Sequence, residues 1–346
     1  MGKMQKWYCY PLEGCVSGNG KPYRVSFKKG IENKLLVNFL GGGASWNIET
    51  ASKPITMQTL VLKKEAFYLN YVPVIAMKLG HVGLLSATDK RNPFRNWYIL
   101  NIPYSTADFH LGTHDFHYND DKGKDKILYH HGAKNMAVIL TELKRLFSGT
   151  PDMLMISGLS AGAFGCLAHA PAIKRLYPDC GKTVVYAESA HLRSSLWQEI
   201  VKDIWQADPD LAAYTESEDL IVDLFHYAED NMPTNTQFLH FVSVWDEALT
   251  QFMSKMNHGK VEITEQSLQV FHNSLIDVVK RLKAERKNYF YYLTDYGKKK
   301  DGSTPHVFFG YPKMLYSKMQ DGVSLADWIF QAFEKNPLDV GGNFIK

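Results

Sequence analysis

The sequence predicts an α/β fold in which a mostly parallel central sheet is covered by helices on both faces. Three observations predict it. Short apolar, β-rich runs alternate with stretches of helical period along the chain. One of these runs leads directly into a glycine-flanked serine and a helix start made of small residues, and an earlier one ends in three consecutive glycines.

The strands are expected at residues 35–40, 97–102, 153–157, 183–188, 238–245 and 289–294. Between the second and third, Met136, Ile139, Leu140, Leu143 and Phe147 recur at three- and four-residue spacing, which predicts a helix, and Gly149 is its expected stop. A second long helix starts at Thr264, with Leu268, Phe271, Leu275, Val278 and Leu282 as its buried stripe. Residues 189–231 form an insertion of two or three helices, read as cover for the sheet ahead of a lid. No linker, composition break or repeat divides the chain, so residues 1–346 are expected to form one domain.

Composition excludes several classes. Among 346 residues, 39 Lys and Arg face 36 Asp and Glu, giving a net charge of +3, and Lys298-Lys299-Lys300 is the densest basic run. Nucleic-acid binding is therefore not expected. The 45% hydrophobic and 22% charged content is that of a folded globular chain rather than a disordered one. No apolar run reaches the roughly 18 residues that span a bilayer, so no membrane partner is expected. Four cysteines are too few for a disulfide framework, although Cys9 and Cys15 are a candidate pair, and Cys166 reads as a buried thiol. The first residues lack the apolar core of a signal peptide, which favours a reducing, cytoplasmic setting; a secreted chain with its leader removed is the alternative.

The candidate nucleophile is Ser160. It sits in Gly158-Leu159-Ser160-Ala161-Gly162, a G-x-S-x-G segment between the strand ending at Ser157 and the helix start Ala163-Phe164-Gly165-Cys166. That strand, turn and helix context is what a nucleophile elbow needs, because a serine raised on a tight turn leaves no room for side chains two residues away. The helix start behind it turns backbone N–H groups toward developing negative charge. Gly41-Gly42-Gly43 after the strand at 35–40 is a candidate second source of oxyanion donors. A dinucleotide loop is the rival reading, but its third glycine is replaced by Trp46 and no helix start follows, so no nicotinamide cofactor is expected.

A base must reach Ser160, and in chain order it follows the acid. His306 lies in the loop after the last strand, and Asp246 ends the strand before it. Glu188 and Asp295, which end other strands, compete for the acid position; His240 lies within a strand and reads as packed.

Asn38 to Asn47, Asn92 to Trp97 leading into Pro103 to Asp108, Gly158 to Gly162, and Trp245-Asp246-Glu247-Ala248 together resemble the pectin acetylesterase family, which includes the Notum-type carboxylesterases. The resemblance runs from about Cys15 to His306. It implies an α/β-hydrolase fold, no cofactor, and hydrolysis of acyl esters: acetyl from a pectin-type polysaccharide, or longer acyl groups in Notum-type members. By position it implies Ser160 as nucleophile, Asp246 as acid, His306 as base, and the N–H groups of Gly42, Gly43 and Ala161 as the oxyanion hole. The chain departs from the family at Ser45 and Ser105, where cysteine is usual, and at Glu188-Ser189-Ala190, where Asp-Ser-Gly is usual.

His110, His114, His117, His130 and His131 fall within 22 residues beside Asp108, Asp115, Asp120 and Asp121. Their spacing also suits metal ligands on one helical face, but Gly112 and Asn119 favour a loop, and no metal is expected. The stretch is read as a loop bordering the cleft, with Asp108 and His110 meeting the sugar of an acetylated carbohydrate, and with Trp46 and Tyr104 as an aromatic wall for it. The expected activity is that of a serine carboxylesterase on acetylated polysaccharide. A deacylase of longer chains, and a catalytically silent binding protein on the same fold, are the alternatives.

Overall fold

The computed structural model describes residues 4–346 except residues 57, 58, 60 and 336. Its centre is an eight-stranded sheet. The strands are β1 (Trp7–Val16), β2 (Pro22–Lys28), β3 (Lys34–Phe39), β4 (Tyr98–Ile102), β7 (Met153–Leu159), β8 (Thr183–Glu188), β9 (Gln237–Ser243) and β10 (Tyr289–Thr294); β5 (His114–Asn119) and β6 (Asp125–His130) pair separately as an antiparallel hairpin. The order across the sheet is β1-β2-β4-β3-β7-β8-β9-β10. β2 runs antiparallel to both its neighbours, and every pair from β4 to β10 is parallel. This is the mixed, mostly parallel sheet of an α/β-hydrolase fold.

Burial on both faces explains the unbroken apolar runs. In β3, Leu35 and Val37 pack into one core with Leu154, Ile156, Val185 and Val242, while Leu36 packs into the other with Met155, Val184, Leu239 and Phe241. The first core lies under α1 (Gly132–Leu146), α2 (Ala161–Leu176), α3 (Leu220–Asp230), α4 (Glu247–His258) and α5 (Glu265–Glu285). Met136, Ile139 and Leu143 are the inward stripe of α1, as their spacing predicts. Thr264 starts α5 with a reciprocal capping box, in which Ser267 N–H donates to Thr264 Oγ1 at 3.0 Å and Thr264 N–H to Ser267 Oγ at 2.8 Å. The second core is closed by Leu84, Leu85, Phe308, Phe309 and α6 (Leu325–Gln331) through Trp328 and Ile329.

Three features differ from the sequence reading. His114, His117 and His130 of the histidine-rich stretch lie on the β5–β6 hairpin while His110 is in the loop before it, and β1 and β2 add an antiparallel edge. The four cysteines are free, so Cys9 and Cys15 do not pair; Cys15 Sγ points instead to the Asn135 carbonyl.

Candidate active site

Ser160 stands between β7 and α2 with φ +55° and ψ −128°, a conformation a non-glycine residue adopts only when its surroundings hold it there. Those surroundings are close. The Ser160 N–H donates to the Glu188 carbonyl at 2.8 Å, and the Ala163 N–H returns to the Ser160 carbonyl at 2.9 Å. Gly162 lies so near the Phe39 and Leu40 carbonyls that any side chain there would strike backbone.

Asp246 is the N-cap of α4 and fully buried. Its Oδ1 accepts the Leu249 N–H at 3.0 Å, and its Oδ2 accepts from Nδ1 of His306 at 2.8 Å. The segments carrying them are zipped together: Thr304 N–H donates to the Trp245 carbonyl at 2.8 Å, and Glu247 N–H to the Thr304 carbonyl at 3.1 Å. Burial disfavours a charged His306 ring, but the Asp246 carboxylate outweighs it, helped by Glu188 and Glu247, and the pKa rises above its ordinary 6.5. With Nδ1–H committed to Asp246, Nε2 is left as the acceptor of the neutral ring.

Ser160 and His306 line one cavity of about 280 Å³ with Gly41, Gly42, Gly43 and Ala161. Among the described residues, nothing accepts from the N–H groups of Gly42, Gly43 or Ala161. Gly43 has φ +84°, and a side chain there would collide with the Phe67 carbonyl. The remaining walls are apolar: Phe109, Leu159, Phe164, Leu192, Ala248, Leu249, Phe252 and Val307.

The pectinacetylesterase family model matches residues 14–190, just over half of the chain. The chain belongs to the pectinacetylesterase family. This pectinacetylesterase-family member is a carboxylic ester hydrolase. The matched region holds Gly41 to Gly43 and Ser160, and it ends before Asp246 and His306. Two crystal forms of the Wnt deacylase Notum from Drosophila share its fold, with TM-scores of 0.64 and 0.63 at 16% identity; each alignment covers 96% of this chain and 95% or 96% of the other. No curated protein matches its sequence.

The four residues expected to meet a sugar are placed elsewhere. Trp46 is buried against Phe67 and Phe252, with ring centroids 5.6 and 6.0 Å away. Tyr104 is buried and accepts the Phe109 N–H at 2.9 Å. Asp108 is fully buried and accepts from Thr106 Oγ1 at 2.6 Å and from the N–H groups of His110, Gly112 and Gly132 at 3.0, 3.2 and 2.7 Å. His110 Nε2 lies 2.9 Å from the Leu40 carbonyl, and burial lowers its pKa to about 3. The polar atoms of Tyr104, Asp108 and His110 are taken up by these internal hydrogen bonds, which leaves none of them facing the cavity. Their effect on the cavity is indirect: Ala107, Phe109 and His110 all have positive φ, and the Asp108 cage holds that strained turn so that Phe109 stacks on Phe164 at 4.3 Å in the cavity wall.

On the hairpin His114 lies opposite His130, but each of the two is committed to a partner of its own. His130 Nδ1 meets the Thr106 carbonyl and His114 Nδ1 the Ile204 carbonyl, both at 2.9 Å, while His131 pairs with Asp115. His240 is buried between Tyr289 Oη at 2.8 Å and the Ala190 carbonyl at 3.1 Å. The cavity wall was not legible in the sequence. Phe252 lies one turn beyond Ala248 and Leu249 on α4, and Trp197 and Trp205 of the insertion pack behind Phe109 at 5.7 and 5.0 Å.

Proposed function

We propose that the chain is a serine carboxylesterase in which Ser160 attacks the ester, His306 is the base and acid, and Asp246 holds His306. His306 Nε2 takes the hydroxyl proton as Ser160 Oγ adds to the ester carbonyl. The N–H groups of Gly42, Gly43 and Ala161 receive the oxyanion, each donor of this kind contributing on the order of 3 kcal/mol to the barrier reduction. The protonated His306 then gives its proton to the departing alcohol, and water, activated by the same ring, releases the acid from the acyl-serine. The Asp246 to His306 hydrogen bond beside a strained serine in one cavity carries this reading.

The acyl group lies against Phe109, Phe164, Leu249 and Phe252. A dry apolar cavity of about 150 Å³ takes a benzene ring. A space of about 280 Å³ therefore exceeds what acetyl fills and favours a longer chain. Family membership favours the second reading, acetyl release from a pectin-type polysaccharide. Turnover of p-nitrophenyl acetate, butyrate and octanoate, set beside acetate release from acetylated pectin, separates them. Rising kcat/KM toward octanoate supports the longer chain, and a preference for acetate overturns it.

A further inference from the structure

We propose that Glu188 is a positioning residue that fastens the Ser160 turn to the His306 loop and so fixes nucleophile and base relative to each other, an inference that rests on the triad above.

Glu188 is the last residue of β8 and is fully buried. Its backbone carbonyl accepts the Ser160 N–H at 2.8 Å. Its carboxylate serves the other arm: Oε1 accepts the Phe309 N–H at 2.8 Å and the Phe308 N–H as well, while Oε2 accepts the Tyr186 hydroxyl at 2.7 Å. The next residue extends the clamp. Ser189 Oγ accepts the Val307 N–H at 3.3 Å, and Ser189 itself has φ +52° while its N–H donates to the Phe241 carbonyl at 2.7 Å. Three consecutive N–H groups after His306 therefore end on two residues, one of which also holds the nucleophile.

The clamp has a physical reason. Val307 has φ +60°, a costly conformation for a β-branched residue, so the loop needs strong local contacts to stay in place. Phe308 and Phe309 are buried, and their N–H groups would be orphaned without an acceptor. Every contact described for the Glu188 carboxyl is a donor, which suits the ionised, acceptor-only form. Burial pushes its pKa up and the three donors oppose that. Asp246 already occupies Nδ1 of His306, so Glu188 does not serve as the acid; it holds the backbone while Asp246 holds the ring.

The charged groups facing His306 are Asp246, Glu188 and Glu247. Removing the Glu188 charge lowers the His306 pKa, and the acid limb of activity moves to lower pH because the neutral ring is the base. Fluorophosphonate labelling rates measured from pH 5 to 9 read plateau and midpoint together. Glu188→Gln is expected to lower the plateau at least tenfold and to move the midpoint down. Glu188→Asp keeps the charge but shortens the reach, and Ser189→Ala loses only the Val307 contact; both are expected to lower the plateau with the midpoint in place. A Glu188→Gln protein with the wild-type plateau or midpoint overturns the proposal. If that variant does not fold, wild-type plateaus in Glu188→Asp and Ser189→Ala overturn it instead. Wild-type protein that takes no label at Ser160 refutes the triad itself, a separate outcome.

Discussion

Asp246 uses its two carboxylate oxygens in different directions, joining His306 Nδ1 through Oδ2 at 2.8 Å and capping α4 through Oδ1 at 3.0 Å. Asparagine caps a helix as well as aspartate does but cannot hold the imidazole in the same tautomer or stabilise its charge. Asp246→Asn is therefore expected to lose about 10³- to 10⁴-fold in kcat with stability nearly intact. Asp246→Ala is expected to lose comparable activity and about 1 kcal/mol of stability as well. Steady-state kinetics alongside urea unfolding check both, and full activity in either variant removes Asp246 from the triad.

The raised His306 pKa fixes the direction of the pH response. Activity requires the neutral ring, so kcat/KM is expected to fall as pH drops, with a midpoint above 6.5. The stability linkage runs the other way. The folded pKa exceeds the unfolded one, so this group's contribution is present in full below the unfolded pKa and disappears as pH rises through the folded value. A pH-rate profile on a p-nitrophenyl ester with its midpoint at or below 6.5 contradicts the Asp246 pairing.

Gly41 touches the serine turn directly. A side-chain carbon there would stand 2.8 Å from both Ser160 Cβ and the Ala161 nitrogen, and would also strike the Leu159 carbonyl. Gly41→Ala is expected to displace the turn and cost about 10²- to 10³-fold in kcat, the scale of a lost oxyanion donor. Gly42→Ala meets only Tyr104 Cδ1 at 3.4 Å and Leu69 Cδ1 at 3.9 Å, so its cost is local backbone strain at φ +159° and the fold is expected to survive. Circular dichroism melts and kinetics on the pair distinguish a blocked site from a broken fold.

The apolar wall makes a prediction about chain length. Each buried methylene is worth about 0.8 kcal/mol, or roughly fourfold in kcat/KM, for as long as the cavity has room. Ala248→Phe puts a ring into that space and is expected to reverse the preference toward acetate. An Ala248→Phe enzyme that keeps the octanoate preference places the acyl chain elsewhere.

Asp108 is the sequence-derived sugar contact that the structure converts into a scaffold. Its four accepted hydrogen bonds predict that Asp108→Asn loses about 2–3 kcal/mol of stability, because an amide turns donors toward donors. Unchanged stability with a raised KM for a polysaccharide would restore the binding role.

The parts of the fold that sequence reveals are those with a strong local signature. The double-sided apolar runs of β3, β7 and β8, the stripe of α1 and the glycines about Ser160 follow from short-range physics. The antiparallel strands β1 and β2 carry Pro11, Glu13, Arg24 and Lys28 among their residues, which blurs the apolar pattern. β5 and β6 hide behind histidine and aspartate, residues that favour strands weakly. Trp46, Tyr104, Asp108 and His110 were misplaced because chain position cannot tell a side chain facing a cleft from one folded over its own loop. The grip of Glu188 on Phe308 and Phe309 spans 120 residues and exists only once β8 lies beside the His306 loop.

The most direct test of the account is covalent labelling by a fluorophosphonate, with the modified residue mapped by mass spectrometry. A single adduct on Ser160, absent in Ser160→Ala and strongly slowed in His306→Ala, is the predicted result. No adduct, or an adduct on another residue with Ser160 unmodified, contradicts it.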